Sequence, residues 1–200
     1  MARFHIYLAS ASPRRRELLR QIGIRFQQLP VAVDETPLPG EMPQDYVRRL
    51  AQAKAQSGVQ QLGRKKPAPV LGADTIVVVD GTILGKPSDR DAGLAMLARL
   101  SGREHQVLSA VALATATHNA VKIQESQVRF RELSRVECEA YWDSGEPRDK
   151  AGGYGIQGQA AAFIVELRGS YSGVMGLPLF ETAELLQEFG IHLWHPFTSP

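Results

Sequence analysis

The chain has 200 residues, 44% of them hydrophobic, with 23 Lys and Arg against 21 Asp and Glu and a formal net charge of +2. That length suits one domain, or two small lobes around one core, and so balanced a charge gives no general attraction to nucleic acid or to a membrane surface, so any basic site has to be local. The single Cys138 excludes an internal disulfide and fits a reducing compartment, and no stretch reaches the ~20 apolar residues of a membrane span.

The N-terminal apolar run is too short, and too soon followed by charge, for a signal peptide, so a soluble cytoplasmic protein is expected. Residues 4–9 predict a strand that breaks at Ser10-Ala11-Ser12-Pro13, after which helical spacing resumes through Leu18, Leu19 and Ile22. Ser12 suits the N-cap, Pro13 at the first helical position gives up no hydrogen bond, and Gly23 suits the stop. Arg14, Arg15 and Arg16 occupy the first turn, where cations oppose the helix dipole. A solvated basic turn would explain them. So would a phosphate chain on the helix start, held by free amides, by the hydroxyls of Ser10 and Ser12 and by the guanidinium forks. A second short strand is predicted over 25–29. Residues 30–43, Pro-rich and carrying Asp34, Glu35 and Glu41, predict an exposed loop. Its Asp34-Glu35 pair matters only if the loop folds back over the arginine turn.

Residues 44–56 predict an amphipathic helix in which Val47, Leu50, Ala51 and Lys54 share one stripe. Lys54 thus points with the apolar face, either snorkelling at its edge or reaching into a cleft. A basic, Pro-containing linker follows over 63–69. Residues 70–84 predict a strand pair, with Asp74 closing the first apolar run and Asp80-Gly81 marking a hairpin. A strand-end carboxylate suits catalysis in an α/β protein, and the alternative is a turn Asp bonded to local amides. Its place between Ala73 and Thr75, in an otherwise apolar run, favours function. Lys86, in Gly85-Lys86-Pro87, precedes a predicted helix over 89–100 with Ser88 as N-cap and with Leu94, Leu97, Ala92, Ala95 and Ala98 inward. It is either a second anion holder or an exposed turn lysine.

Residues 105–116 and 120–131 are two β-type runs joined by Thr117-His118-Asn119. Ser134 and Glu137 form a capping box opening a helix to Ser144, in which Cys138 is predicted to be a small core residue. Residues 146–159 are too glycine-rich for regular structure. Gly152, Gly153, Gly155 and Gly158 permit close approach to a ligand, and Lys150 and Gln157 are the polar groups such a loop can aim. A strand over 160–167, a turn over 169–173 and a helix over 177–189, packed through Phe180, Ala183, Leu185 and Phe189, complete the pattern. The tail 191–200 is expected to dock loosely through Trp194, and His192 and His195 are too isolated for metal ligation.

In order along the chain stand Ser10-x-Ser12-Pro-Arg14-Arg15, Asp34-Glu35, Ala53-Lys54-Ala55, Gly72-Ala73-Asp74-Thr75, Gly85-Lys86-Pro87, Ser101-Gly102, Lys150-Ala-Gly-x-Tyr154-Gly-Ile-Gln157-Gly and Gly176-Leu-Pro-Leu. The ordered set resembles the Maf family of nucleoside triphosphate pyrophosphatases over residues 5–189. The resemblance implies hydrolysis of a nucleoside triphosphate to the monophosphate and pyrophosphate with a divalent metal, Mg²⁺ or Mn²⁺. It implies an elongated, two-lobed, ITPase-like α/β fold with a long mixed twisted sheet, flanking helices and a central cleft. Residues 1–200 would then be a single catalytic domain of two lobes, with a homodimer as its assembly. By the same resemblance Asp74 is the general base, Arg14, Lys54 and Lys86 grip the phosphate chain with Arg15 and Ser10 close by, and Glu35 joins Asp74 as a metal or base-side carboxylate. Arg14, Thr75 and Gln157 match positions that set base preference. The branch resembling 7-methyl-GTP hydrolases carries a bulky aromatic, Gln and Glu there, so Arg, Thr and Gln resemble the branch acting on dTTP and UTP.

The chemistry agrees. A triphosphate bears about four negative charges, and charge-assisted bonds contribute ~1.5–3 kcal/mol each. A carboxamide at Gln157 presents donor and acceptor together, matching the N3–H and O4 edge of uracil or thymine. The rivals are a non-catalytic nucleotide sensor linked to cell division, against which the intact acidic and basic set argues, and a nucleic-acid module on the arginine turn, which the near-neutral charge disfavours.

Overall fold

The structure, a computed structural model, describes residues 4–63 and 67–193. Trp194, His195 and part of the 63–69 linker lie outside the described residues. Seven strands form one mixed sheet in the order β2-β1-β3-β5-β6-β7, with β4 paired to β3 alone. β1 (Ile6–Leu8) runs parallel to β2 (Phe26–Gln28) and to β3 (Val70–Val79). β4 (Thr82–Leu84), β5 (Glu104–Ala114), β6 (Asn119–Phe130) and β7 (Ile164–Arg168) all pair antiparallel.

β3 is rich in β-branched residues and buried almost throughout, as a strand covered on both faces should be. It is one strand of ten residues, not the end of a shorter one at Asp74. Its ladder with β5 runs unbroken from Val70↔Ala114 to Val78↔Gln106. The carboxylate does not stop the strand because an ammonium meets it, as described below. Asp80 and Gly81, at φ 50° and 69°, turn the chain into β4 as a left-handed pair.

Alternation along β3 divides the core. Ile76 and Val78 face α2 (Pro43–Leu62), with Val47, Leu50, Ala51 and Ala55 packed on them. On the opposite face Leu71 and Ala73 join α1 (Pro13–Gln21) and α6 (Leu179–Glu188) in one cluster. On that same face Val77 and Val79 join α3 (Arg90–Leu100) and α4 (Arg135–Asp143) in another. Thr75 lies between the two.

The sheet is interrupted at that point. On the side of β3 away from β5, β1 reaches only Val70 and Leu71, and β4 only Val77, Val78 and Val79. Among the described residues, none forms a strand beside 72–76 there.

Several local expectations change. α2 continues to Leu62. The N-cap of α3 is Asp89, which accepts from the Ala92 amide at 2.8 Å, while Ser88 donates to Asp89. The inward face of α3 is Gly93, Leu97 and Leu100, with Ala95 and Ala98 exposed, because the Trp142 ring lies where a Gly93 side chain would be. Residues 160–163 belong to a 3₁₀ turn and not to β7, since a short apolar run carries no period to choose between them. Residues 171–175 form a short helix, α5 (Tyr171–Met175). In α6 the buried face is Thr182, Leu185 and Leu186, and Phe180, on the other side, is 70% exposed. The α1 caps, the Ser134–Glu137 capping box and the buried Cys138 are as expected.

Candidate active site

A cleft of about 670 Å³ occupies the interruption in the sheet. The α1 turn brings Ser10, Arg14 and Arg15 to it, and the loop after β2 brings Glu35. Lys54 arrives on α2, Asp74 and Thr75 on β3, Lys86 after β4, and Gln157 on the glycine-rich loop. The chain order thus becomes one wall-to-wall arrangement, and Arg16 alone of the three arginines is not part of the lining.

The α2 side carries charge. Lys54 Nζ lies 2.7 Å from Asp74 Oδ1 and 2.7 Å from Glu35 Oε1, with the Lys54 and Asp74 side chains 12% and 11% exposed. Buried charges persist only when paired, and here each is. Gly72 permits the contact, because a Cβ there would strike the backbone of Ala51 and Ala55 and push α2 off the strand. The acidic loop folds back onto α2, and not over the arginine turn. Tyr46 donates its hydroxyl to the Glu35 carbonyl at 2.7 Å, and Arg49 grips Glu41 at 2.6 and 2.7 Å and the Thr36 carbonyl at 3.1 Å. Burial works against the Glu35 carboxylate, but the Lys54 hydrogen bond and the charges of Lys54, Lys86 and Arg15 outweigh it and hold its pKa below the usual range. Asp34 separates from its neighbour and accepts from the Thr36 amide at 2.9 Å in a local turn.

The opposite side carries neutral hydrogen bonds. Thr75 Oγ1 lies 2.8 Å from Ser109 Oγ, which donates to the Gly173 carbonyl at 2.6 Å. Arg15 donates from Nε to the Gly176 carbonyl at 2.8 Å and from Nη1 to Ser10 Oγ at 3.3 Å, tying the α1 turn to the end of α5. Burial pulls its pKa down, with Asp74 opposing. Among the described residues, the Arg14 side chain makes a long 3.5 Å contact with Asp149. Lys150 is committed within its own loop, at 2.5 Å to the Glu146 carbonyl and 2.7 Å to Asp149, whereas Gln157 and Lys86 are exposed along the cleft. The loop is anchored by Tyr154, whose hydroxyl meets His105 Nε2 at 2.8 Å in the core. Burial lowers the His105 pKa to about 4, so the ring is neutral.

Sequence reasoning did not single out Ser109, which the structure places against Thr75. It is a hydroxyl within the apolar stretch of β5 that follows Gln106, the same signal that singled out Asp74.

The "Maf-like protein" family matches residues 5–189. The dTTP/UTP pyrophosphatase of Pseudoalteromonas translucida (strain TAC 125) is 55% identical over 184 residues, covering 92% of this chain and 96% of its own. That of Alkalilimnicola ehrlichii is 54% identical over 190 residues, covering 94% of each. The Staphylococcus aureus Ham1 protein, a solved structure, is 16% identical with a TM-score of 0.44, over 66% of this chain and 72% of its own. With the family matched almost end to end and relatives more than half identical, the chain belongs to the Maf family.

Proposed function

We propose that this chain hydrolyses dTTP and UTP to the monophosphate and pyrophosphate by attack of water on the α-phosphorus, the activity for which its relatives are named. The observation that carries it is the Asp74–Lys54–Glu35 chain set in the sheet gap, its Asp74–Lys54 pair largely buried, with Arg14 and Lys86 along the same cleft. Asp74 orients the water and takes its proton as the new oxygen–phosphorus bond forms and the bond to pyrophosphate breaks. Lys54 has three N–H donors, two of which go to carboxylates, leaving one for a phosphate oxygen. Arg14 and Lys86 balance the charge that develops on the leaving pyrophosphate, while Arg15 and Ser10 shape the turn on which the phosphates rest. Thr75 and Gln157 meet the base.

Two carboxylates are what a Mg²⁺- or Mn²⁺-bound triphosphate asks of a protein, since such ions keep phosphate and water oxygens as their other ligands. Glu35 and Asp74 fit that need, although among the described residues no group of three or more His, Cys, Asp or Glu is gathered. When bound, the ion would neutralise phosphate charge and polarise the phosphorus. We take residues 1–200 as a single catalytic domain whose two lobes share the sheet. No described helix is long and apolar enough to cross a membrane.

The purified protein with Mg²⁺ or Mn²⁺, given a panel of nucleoside triphosphates, is expected to release pyrophosphate fastest from dTTP and UTP. Tight nucleotide binding with no turnover under any metal would overturn this in favour of a sensor.

A further inference from the structure

Ser109 is wholly buried in β5, at 0% exposure, and stands opposite Thr75 in the strand register. Its Oγ has two polar neighbours, the Gly173 carbonyl at 2.6 Å and Thr75 Oγ1 at 2.8 Å. A carbonyl oxygen only accepts, so the single Ser109 proton goes to Gly173. Two oxygens 2.8 Å apart with no proton between them repel, so Thr75 must donate to Ser109. The Thr75 hydroxyl has then used its only proton inward and presents lone pairs alone to the cleft.

That side of the cleft suits a heterocycle. Val77 and Val107 share the sheet face of Thr75, and Ile156, Val174 and Met175 continue the lining. Gly176, at φ 119°, leaves the space beside Thr75 clear, where even a Cβ would lie 3.7 Å from its Oγ1. An apolar slot in which Thr75 is a fixed acceptor, beside the adaptable carboxamide of Gln157, recognises a flat ring through a ring N–H.

We propose, resting on the pyrimidine triphosphate reading above, that Ser109 is a positioning residue for base selection. By fixing Thr75 as an acceptor it favours the imide N3–H of uracil and thymine, and it opposes cytosine, which has a lone pair at the same ring position. With Ser109 removed, the Thr75 hydroxyl is free to turn and donate.

The test measures kcat and KM for UTP and CTP with the full chain and its Ser109→Ala variant. The UTP-to-CTP ratio of kcat/KM is expected to fall roughly tenfold or more, through a higher KM for UTP and a lower one for CTP, with kcat on UTP changed little. Ser109→Cys keeps the volume with a much weaker donor, so it should shift the ratio the same way and serves if the alanine variant does not fold. An unchanged ratio, or an equal loss on both substrates with a lower melting point, would make the hydroxyl merely structural and overturn the proposal. If the wild type hydrolyses no pyrimidine triphosphate, the parent reading falls and this one with it. If it hydrolyses UTP and the variants keep their selectivity, only the Ser109 assignment falls.

Discussion

The two faces of β3 at the cleft solve opposite problems with adjacent residues. Asp74 turns toward α2 and enters a chain of full charges, Asp74–Lys54–Glu35, part of which hangs from a loop. Thr75 turns the other way and enters a chain of neutral groups, Thr75–Ser109–Gly173, held by strand pairing and by α5. Charges are costly to bury and must cancel in place, whereas a hydroxyl costs little once its bonds are made. On the proposed function, the charged side regroups around a charged substrate, and the neutral side keeps a fixed pattern against which a base is compared. The proposed reactivity and selectivity are then separated by the pleat of a single strand.

The severest way to break the charged side is Asp74→Asn. It is expected to lower kcat by about 10²–10⁴ while the melting curve stays nearly in place, since Lys54 keeps Glu35 as a partner. Lys54→Met should instead strike the fold, leaving two carboxylates without their shared cation. A loss of about 3 kcal/mol in urea unfolding is expected, and a stability equal to wild type would show that the pair is not desolvated in solution. The neutral side has its own pH signature through His105, which holds Tyr154. Its folded pKa of about 4 lies below the ordinary histidine value of 6.5, so the unfolded chain binds a proton that the native state refuses. Stability from this group is therefore full above pH 6.5 and is lost as pH falls toward 4, by about 3 kcal/mol in all. His105→Gln should flatten that slope in denaturant titrations at several pH values. Glu35, with its depressed pKa, gives stability present above its unfolded value and lost only as pH falls through the lower folded one, so the two sides lose stability in successive windows. The mildest test is Gln157→Glu, expected to shift the UTP-to-GTP rate ratio by roughly tenfold. An unchanged ratio would remove Gln157 from base recognition.

The parts that local chemistry determines were legible in the residues. The Ser12 cap, the Lys54 stripe, the Asp80-Gly81 hairpin and the Ser134–Glu137 box each depend on a few neighbouring side chains, and each appears as expected. What escaped depends on tertiary partners. Asp74 read as a strand end because a lone carboxylate disfavours a buried strand, yet Lys54, twenty residues earlier, removes the objection. Ser88 and Asp89 are both sound caps, and only the backbone angles select Asp89. The inward face of α3 was misread because Trp142, nearly fifty residues away, replaces the missing side chain of Gly93. The cleft-lining residues were readable as types and as a family pattern, but the gap that lets both faces of β3 open on one cleft was not, since that follows from the β1 and β4 register.

The gap in the sheet has a bearing on solubility as well. A free strand edge normally invites another chain to add to it, and proteins blunt such edges with charge or cover. Here the open stretch is only residues 72–76, bounded in the plane of the sheet by β1 and β4. An incoming strand, which is commonly five or six residues long, would collide with both before forming its ladder. The same opening is the cleft proposed for the nucleotide, so the unpaired backbone there faces that site and is not offered to a neighbour as a template for aggregation.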